Sequence, residues 1–121
     1  MSAAVIDLDD VVRGYLVAIL WTATTFEGGT LNSGYGVDDI APESVAEARE
    51  ELRQFIESET EDLEGIDADA IGHDFCLTRN HHGTGFWDRG LGERGDRLTV
   101  AAHAWGSADA YVGDDGKVYL S

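Results

Sequence analysis

The sequence predicts an α+β fold in which N-terminal helices pack on a small antiparallel sheet of about four strands with one inserted helix. Three observations support this prediction. Apolar residues recur at helical spacing in the first half of the chain, whereas short apolar runs separated by turn residues dominate the second half. Eleven aromatic residues and a single proline favour a packed fold. Because 121 residues suit one hydrophobic core, a single domain spanning 1–121 is expected.

Two helices are predicted in the first half. Residues 7–22 carry apolar side chains at helical spacing, and aspartates near the start can cap free N–H groups. Residues 42–58 show a second apolar stripe, and Pro42 suits the first helical position. The intervening residues 22–41 are rich in Thr, Gly and Asn and predict a long loop. Three side chains are expected to pin this loop to the core: Phe26, Tyr35 and Ile40.

A short helix and a hairpin are predicted next. Asp67 can cap a helix that extends to about Gly72. The apolar runs at 75–77 and 86–87 then indicate two strands, and the turn-forming residues 80–85 indicate a wide connection between them.

The last third of the chain is predicted to contain the inserted helix and a second hairpin. Residues 91–105 place several apolar side chains on one helical face, although two glycines make its start less certain. The apolar runs at 110–112 and 118–120 flank the dipeptide Asp115-Gly116. An Asp-Gly pair in such a turn is among the strongest local indications of a hairpin.

Negative charge is the strongest feature of the composition. The chain has 24 acidic and 8 basic residues, a net charge of −16, and residues 1–70 hold 17 of the acids and 3 of the bases. This charge repels nucleic acid phosphates and attracts basic surfaces, including those built to hold nucleic acid. Seven of the eight bases are arginines. GC-rich coding or adaptation to high salt explains the same composition without any partner, so both interpretations stay open.

The acids are densest in the predicted second helix and the residues that follow it. Like-charged pairs lie at i,i+4 spacing there, and few arginines are placed to offset them. As a solvated face these carboxylates need no partner; as an interaction surface they would imitate the phosphate rows of a duplex and engage Arg and Lys side chains. The predicted partner-binding residues are Glu43, Glu47, Glu50, Glu51, Glu57, Glu59, Glu61 and Asp62.

The single cysteine and the apolar segments indicate the cellular setting. Cys76 lies between Phe75 and Leu77, so a buried thiol is expected rather than a reactive one. No apolar stretch approaches the roughly 20 residues that a membrane span requires. The acidic N-terminus lacks the basic flank of a signal peptide, and a cytoplasmic location is therefore expected.

Residues 73–90 form a dense polar and aromatic segment. Its residue types permit a metal site, a histidine general base with a Thr or Asp partner, or a phosphate contact, but none of the diagnostic spacings is present. A structural role is favoured, in which Asp74 or Asp88 pairs with Arg79 or Arg89 across strands. No catalytic residue, metal or cofactor is predicted. The polar residues considered as an alternative site are His73, Asp74, Arg79, Asn80, His81, His82 and Asp88.

This segment resembles a family of small acidic proteins from bacteriophages and mobile elements. The matching residues are the stretch His73-Asp74-Phe75, the run Leu77-Thr78-Arg79-Asn80, the pair His82-Gly83 and the stretch Gly85-Phe86-Trp87-Asp88-Arg89-Gly90. The ending Tyr111-Val112-Gly113-Asp114-Asp115-Gly116 is also similar. The resemblance covers residues 70–121 well and the first half more loosely. It implies a phage context and a location in the host cytoplasm, without a mechanism.

Three classes of function are compatible with the sequence. The favoured hypothesis is a non-enzymatic binding protein that blocks a basic nucleic-acid-binding surface, as a DNA mimic or an inhibitor of host defence would. The second is a small enzyme or metal protein centred on residues 73–90. The third is a virion or accessory protein that self-associates, for which exposure of Trp21, Trp87 or Trp105 would be supporting evidence.

Overall fold

The computed structural model describes residues 6–24 and 28–120, and this part of the chain contains five α-helices and a two-stranded antiparallel sheet. The helices are α1 (Leu8–Thr22), α2 (Pro42–Ser58), α3 (Thr60–Leu63), α4 (Ala68–Arg79) and α5 (Glu93–His103), and the strands are β1 (Ala110–Val112) and β2 (Val118–Leu120). The α+β class is confirmed in its broad form. The prediction of about four strands is wrong, because two strands are found in the described part of the chain.

The first two helices begin where local chemistry places them. Asp7 precedes α1, and its Oδ1 accepts a hydrogen bond from the N–H of Asp9 at 3.0 Å. Pro42 occupies the first position of α2, whose observed bounds match the predicted 42–58. In the loop between them, Ile40 is buried and Tyr35 packs partly buried against the core, as predicted. Phe26 lies outside the described residues.

Helices α1 and α4 form the tightest packing in the molecule. Two glycines allow their backbones to approach: a Cβ added at Gly72 would lie 1.8 Å from the carbonyl oxygen of Val11. A Cβ added at Gly14 would lie 2.1 Å from the carbonyl oxygen of Asp69. The absence of a side chain at both positions therefore permits direct backbone contact, which offsets the lower helix propensity of glycine.

The predicted first hairpin is wrong. Residues 75–77 belong to α4, and residues 86–88 form a single 3-10 turn. Helix α4 ends in a Schellman motif: the N–H of His82 donates to the carbonyl of Leu77 at 2.9 Å, and the N–H of His81 donates to that of Thr78 at 3.1 Å. His81 takes the left-handed conformation that this motif requires, with φ of 58°.

Burial on several sides explains why α4 resembled a strand in the sequence. The helix lies between α1 and α5, and all residues from Asp74 to Arg79 are buried. A helical stretch that is buried on every side, as residues 74–79 are, loses the 3.6-residue alternation of polar and apolar positions. Consecutive buried residues then look like a short buried strand. Cys76 is fully buried, as predicted, and burial raises the pKa of its thiol to about 12.

The second hairpin and α5 are confirmed with small changes in their bounds. Strand β1 pairs with β2 in antiparallel register, with Tyr111 opposite Tyr119. The carbonyl of Val118 accepts a hydrogen bond from the N–H of Ala41 at 2.8 Å, and the N–H of Leu120 donates to Ser44 Oγ at 3.0 Å. These bonds attach the hairpin to the start of α2.

The core is a continuous apolar cluster between the helices. The ring centroids of Phe55 and Phe75 lie 4.5 Å apart, and those of Phe55 and Phe86 lie 5.9 Å apart. Tyr15 from α1 also packs on Phe75. None of the helices in the described ranges is both long and apolar enough to span a bilayer.

Candidate functional site

The polar residues of segment 73–90 are held mainly by internal bonds. Asp74 is buried in α4, and both of its oxygens accept hydrogen bonds from Arg89, the shortest from Nη2 at 2.7 Å. The hydrogen bond to Asp74 raises the pKa of Arg89, although partial burial opposes this shift. An Asp74–Arg89 pair was among the predicted ion pairs, but it joins a helix to a loop and does not cross two strands.

Arg79 is the most heavily bonded side chain of the segment. Its guanidinium donates to the carbonyls of Gly106 at 2.8 Å and Trp105 at 3.2 Å, and to the carboxylate of Glu51 at 2.8 Å. It also donates to the hydroxyl of Tyr15 at 3.2 Å. Burial disfavours the charged form of Arg79 and lowers its pKa. The hydrogen bonds that Arg79 donates to Glu51 and Tyr15 outweigh this effect and leave the pKa raised. This buried cation therefore joins α1, α2, α4 and the segment after α5.

Asn80 and Asp88 hold loop backbone in place. Asn80 Oδ1 accepts a hydrogen bond from the N–H of Ala108 at 2.8 Å. Asp88 accepts hydrogen bonds from Thr84 Oγ1 at 2.8 Å and from the N–H of Gly85 at 3.2 Å. These two bonds, the first above all, lower the pKa of Asp88. Both side chains thus stabilise loop conformation, which differs from the predicted pairing of Asp88 with an arginine across strands.

The three histidines of the segment do not form a common site. His73 is half-exposed, with Nδ1 3.5 Å from Asp74 Oδ1. His81 stacks on His103 instead, with ring centroids 4.3 Å apart. Within residues 6–24 and 28–120, no three His, Cys, Asp or Glu side chains are placed to hold a metal ion together.

Half of the predicted partner-binding carboxylates form internal ion pairs. Arg53 binds both Glu50 and Glu57 on the exposed side of α2. Hydrogen bonds from Arg53 and Gln54 lower the pKa of Glu50 to about 2. The other two pairs connect distant parts of the chain: Glu51 binds Arg79, and Asp62 binds Arg97 at 2.7 Å.

The other half carry no ion pair and no side-chain hydrogen bond to any described residue. Glu43 and Glu47 lie exposed on α2, four residues apart on one face, and Glu61 is exposed in α3. Glu59 lies between the two helices and is partly buried. Burial, with Asp62 nearby, raises the pKa of Glu59. These four residues are named the unpaired carboxylates below.

Most of the basic side chains form ion pairs or hydrogen bonds within the chain. Five arginines form the ion pairs of the described structure, and Arg94 donates to the carbonyls of Asp62 and Glu64. Only Arg13 and Lys117 have neither an ion pair nor a hydrogen bond from the side chain within the described ranges. Among the described residues, Glu43, Glu47, Glu59 and Glu61 are therefore left without an ion-pair partner.

A shallow depression borders Glu59, one of the four unpaired carboxylates. Its walls are Glu59 on one side and Asp96, Arg97, Val100 and Ala101 of α5 on the other. Val100 is 70% exposed. This site was not predicted from the sequence, although one signal was present. Leu98 and Ala102 define the apolar stripe of α5, and Val100 lies off that stripe. A valine at this position must therefore face outward.

Comparison with known proteins gives no family assignment. No protein-family model, no curated protein and no solved structure matches this chain.

Proposed function

We propose that this chain is a non-enzymatic acidic binding protein that acts in the cytoplasm by covering a basic surface of a partner protein. The observation that carries the proposal is that, among the described residues, most basic side chains are bound within the chain, whereas several acidic side chains are not. Nearly every arginine is bound internally, whereas Glu43, Glu47, Glu59 and Glu61 form no ion pair within the described ranges. A partner with clustered Arg or Lys side chains would supply the missing counter-charges.

A nucleic-acid-binding partner is the most concrete version of the proposal. Such proteins hold rows of Arg and Lys that neutralise phosphates. Glu43 and Glu47 are unpaired and lie four residues apart on one face of α2, and the row continues through Glu50 and Glu57, which Arg53 already binds. This row would stand in for one phosphate strand. The resemblance to phage and mobile-element proteins favours a host-defence protein as the target, by analogy alone.

Salt-dependent capture from a bacterial lysate tests the proposal. The immobilised chain is expected to retain basic, nucleic-acid-binding proteins at low salt and to release them to duplex DNA added as a competitor. A variant with the four unpaired carboxylates changed to glutamine should bind a purified partner about tenfold or more weakly, because several favourable charge contacts are lost. The dissociation constants of the purified pair provide the measurement.

The matched control changes four exposed carboxylates outside α2 and α3 to asparagine, which alters the net charge equally. These residues are Asp10, Asp38, Asp69 and Asp114. The control should bind within about twofold of the original chain at moderate salt, where distant charges are screened. Equal weakening of both variants would show that net charge alone, and no defined surface, determines binding. Retention of acidic proteins that DNA does not displace would contradict the proposal.

Self-association is the second candidate, and two exposed tryptophans favour it. Trp21 is 63% exposed at the end of α1, and Trp87 is 51% exposed in the 3-10 turn after α4. Large exposed aromatic side chains commonly mark protein contacts. Trp105 gives no such support, since it packs partly buried against Phe75. A self-associating chain should show a concentration-dependent mass in analytical ultracentrifugation, and Trp21→Ser or Trp87→Ser should restore the monomer.

A further inference from the structure

The depression between Glu59 and α5 brings apolar and acidic side chains together on one small surface. Its apolar lining residues are Val100 and Ala101, and its acidic lining residues are Glu59 and Asp96. Arg97 is the single cation among the lining residues, and Asp62 already binds it through two hydrogen bonds of 2.9 and 2.7 Å. The lining therefore presents an apolar patch with unneutralised carboxylates around it.

Nothing within the described fold accounts for a valine at position 100. The side chain is 70% exposed on α5 and does not belong to the core cluster. Valine is also a poorer helix former than alanine, lysine or glutamate, so helix propensity does not favour it at this exposed position. Its apolar surface stabilises the protein only when another molecule covers it.

Glu59 is a carboxylate in this depression whose charge is not offset by an ion pair among the described residues. Its carboxylate is partly buried beside Asp62, which is bound to Arg97, and no cation of the described chain reaches Glu59 itself. Loss of hydration and a like charge nearby both disfavour its ionised form. A cation brought by a partner would offset both effects.

We infer that this depression anchors a basic segment of the partner, whose apolar side chain covers Val100 and Ala101 while its Arg or Lys side chains reach Glu59 and Glu61. The inference rests on the proposed function and specifies where contact is centred and what chemistry the partner segment has. A second copy of this chain fits poorly, because it would bring a net charge of −16 against an acidic edge. The pattern of apolar centre and charged edge is that of ordinary protein interfaces.

Two synthetic peptides test the inference without a known partner. In the first, arginines flank a central leucine; in the second, serine replaces the leucine. The leucine peptide is expected to bind roughly tenfold more tightly, because covering one leucine removes its apolar surface from water. In two-dimensional amide NMR spectra, the leucine peptide should shift the resonances of Glu59, Thr60, Val100 and Ala101.

Val100→Ser is expected to abolish the preference for leucine, whereas Val112→Ser should keep it. Val112 is the matched control, because it is an exposed valine on β1, away from the depression. Equal affinity for both peptides, with no effect of Val100→Ser, would overturn the inference and leave the proposed function intact. Failure of both peptides to bind at low salt would instead count against the proposed function itself. Shifts centred on Trp21 or Trp87 would also overturn the inference.

Glu59→Gln separates a binding role from a structural one. A carboxyl group whose pKa is raised by folding destabilises the folded state above that pKa and has no such effect below its unfolded pKa. The variant should therefore have a higher Tm at pH 7, with the difference vanishing below about pH 4, and should bind both peptides more weakly. A lower Tm with unchanged peptide affinity would mean that Glu59 serves the fold and not the contact.

Discussion

Replacing Gly72 with alanine is expected to destabilise the protein by about 2–4 kcal/mol, one of the largest effects of any single methyl group in this chain. The added Cβ would lie 1.8 Å from the carbonyl oxygen of Val11 and 2.7 Å from the backbone nitrogen of Tyr15. Both are backbone atoms of α1, so relief requires the two helices to move apart. Their separation would open contacts throughout the core between α1 and α4.

The sign of this effect is the decisive feature. In an exposed helix interior, exchange of glycine for alanine stabilises by about 1 kcal/mol, so helix propensity predicts the opposite change. Gly34→Ala is the matched control, because a Cβ there meets nothing within 4 Å and should change stability by less than about 0.5 kcal/mol. Urea denaturation followed by circular dichroism measures both. A Gly72→Ala variant as stable as the original chain would show that the helices do not cross at this glycine.

Arg79→Met is expected to cost about 3–5 kcal/mol, because it removes one partner of a buried charged network. Arg79 is 2% exposed and supplies four bonds, to Glu51, Tyr15 and the carbonyls of Trp105 and Gly106. Methionine fills similar space but leaves all four acceptors without their donor. A fall in the midpoint of urea denaturation, at an unchanged slope, would report the loss.

Arg53→Met is the control for Arg79→Met. Arg53 also binds two glutamates, but it lies exposed on α2, where solvent screens such pairs, so its loss should lower stability far less than the loss of Arg79. In a double-mutant cycle, Glu51→Gln should add little to Arg79→Met, since both changes break the same contact. Equal costs for Arg53→Met and Arg79→Met would contradict the assignment of Arg79 as a buried structural cation.

The polar residues of segment 73–90 have mainly structural roles. Asp74 and Arg79 are buried in α4 and bonded, while Asn80 and Asp88 hold loop backbone. These four residues therefore stabilise the fold, and the surface that α2, α3 and α5 present is left as the candidate contact surface.

The sequence by itself determined the elements whose information is local. A capping aspartate, a proline at the first helical position and an apolar stripe placed α1 and α2 to within one residue of their observed bounds. An Asp-Gly turn between two apolar runs placed the second hairpin. Each of these signals acts within a few residues, so no tertiary context was required to interpret it.

Only the tertiary structure decided the nature of α4 and the distribution of charge. Burial against α1 and α5 removed the periodicity by which a helix is recognised, and Phe75 therefore looked like part of a strand. The pairs Glu51–Arg79 and Asp62–Arg97 join residues 28 and 35 positions apart. A sequence gives the number of carboxylates, but which of them are neutralised depends on distances of a few ångströms that packing alone creates.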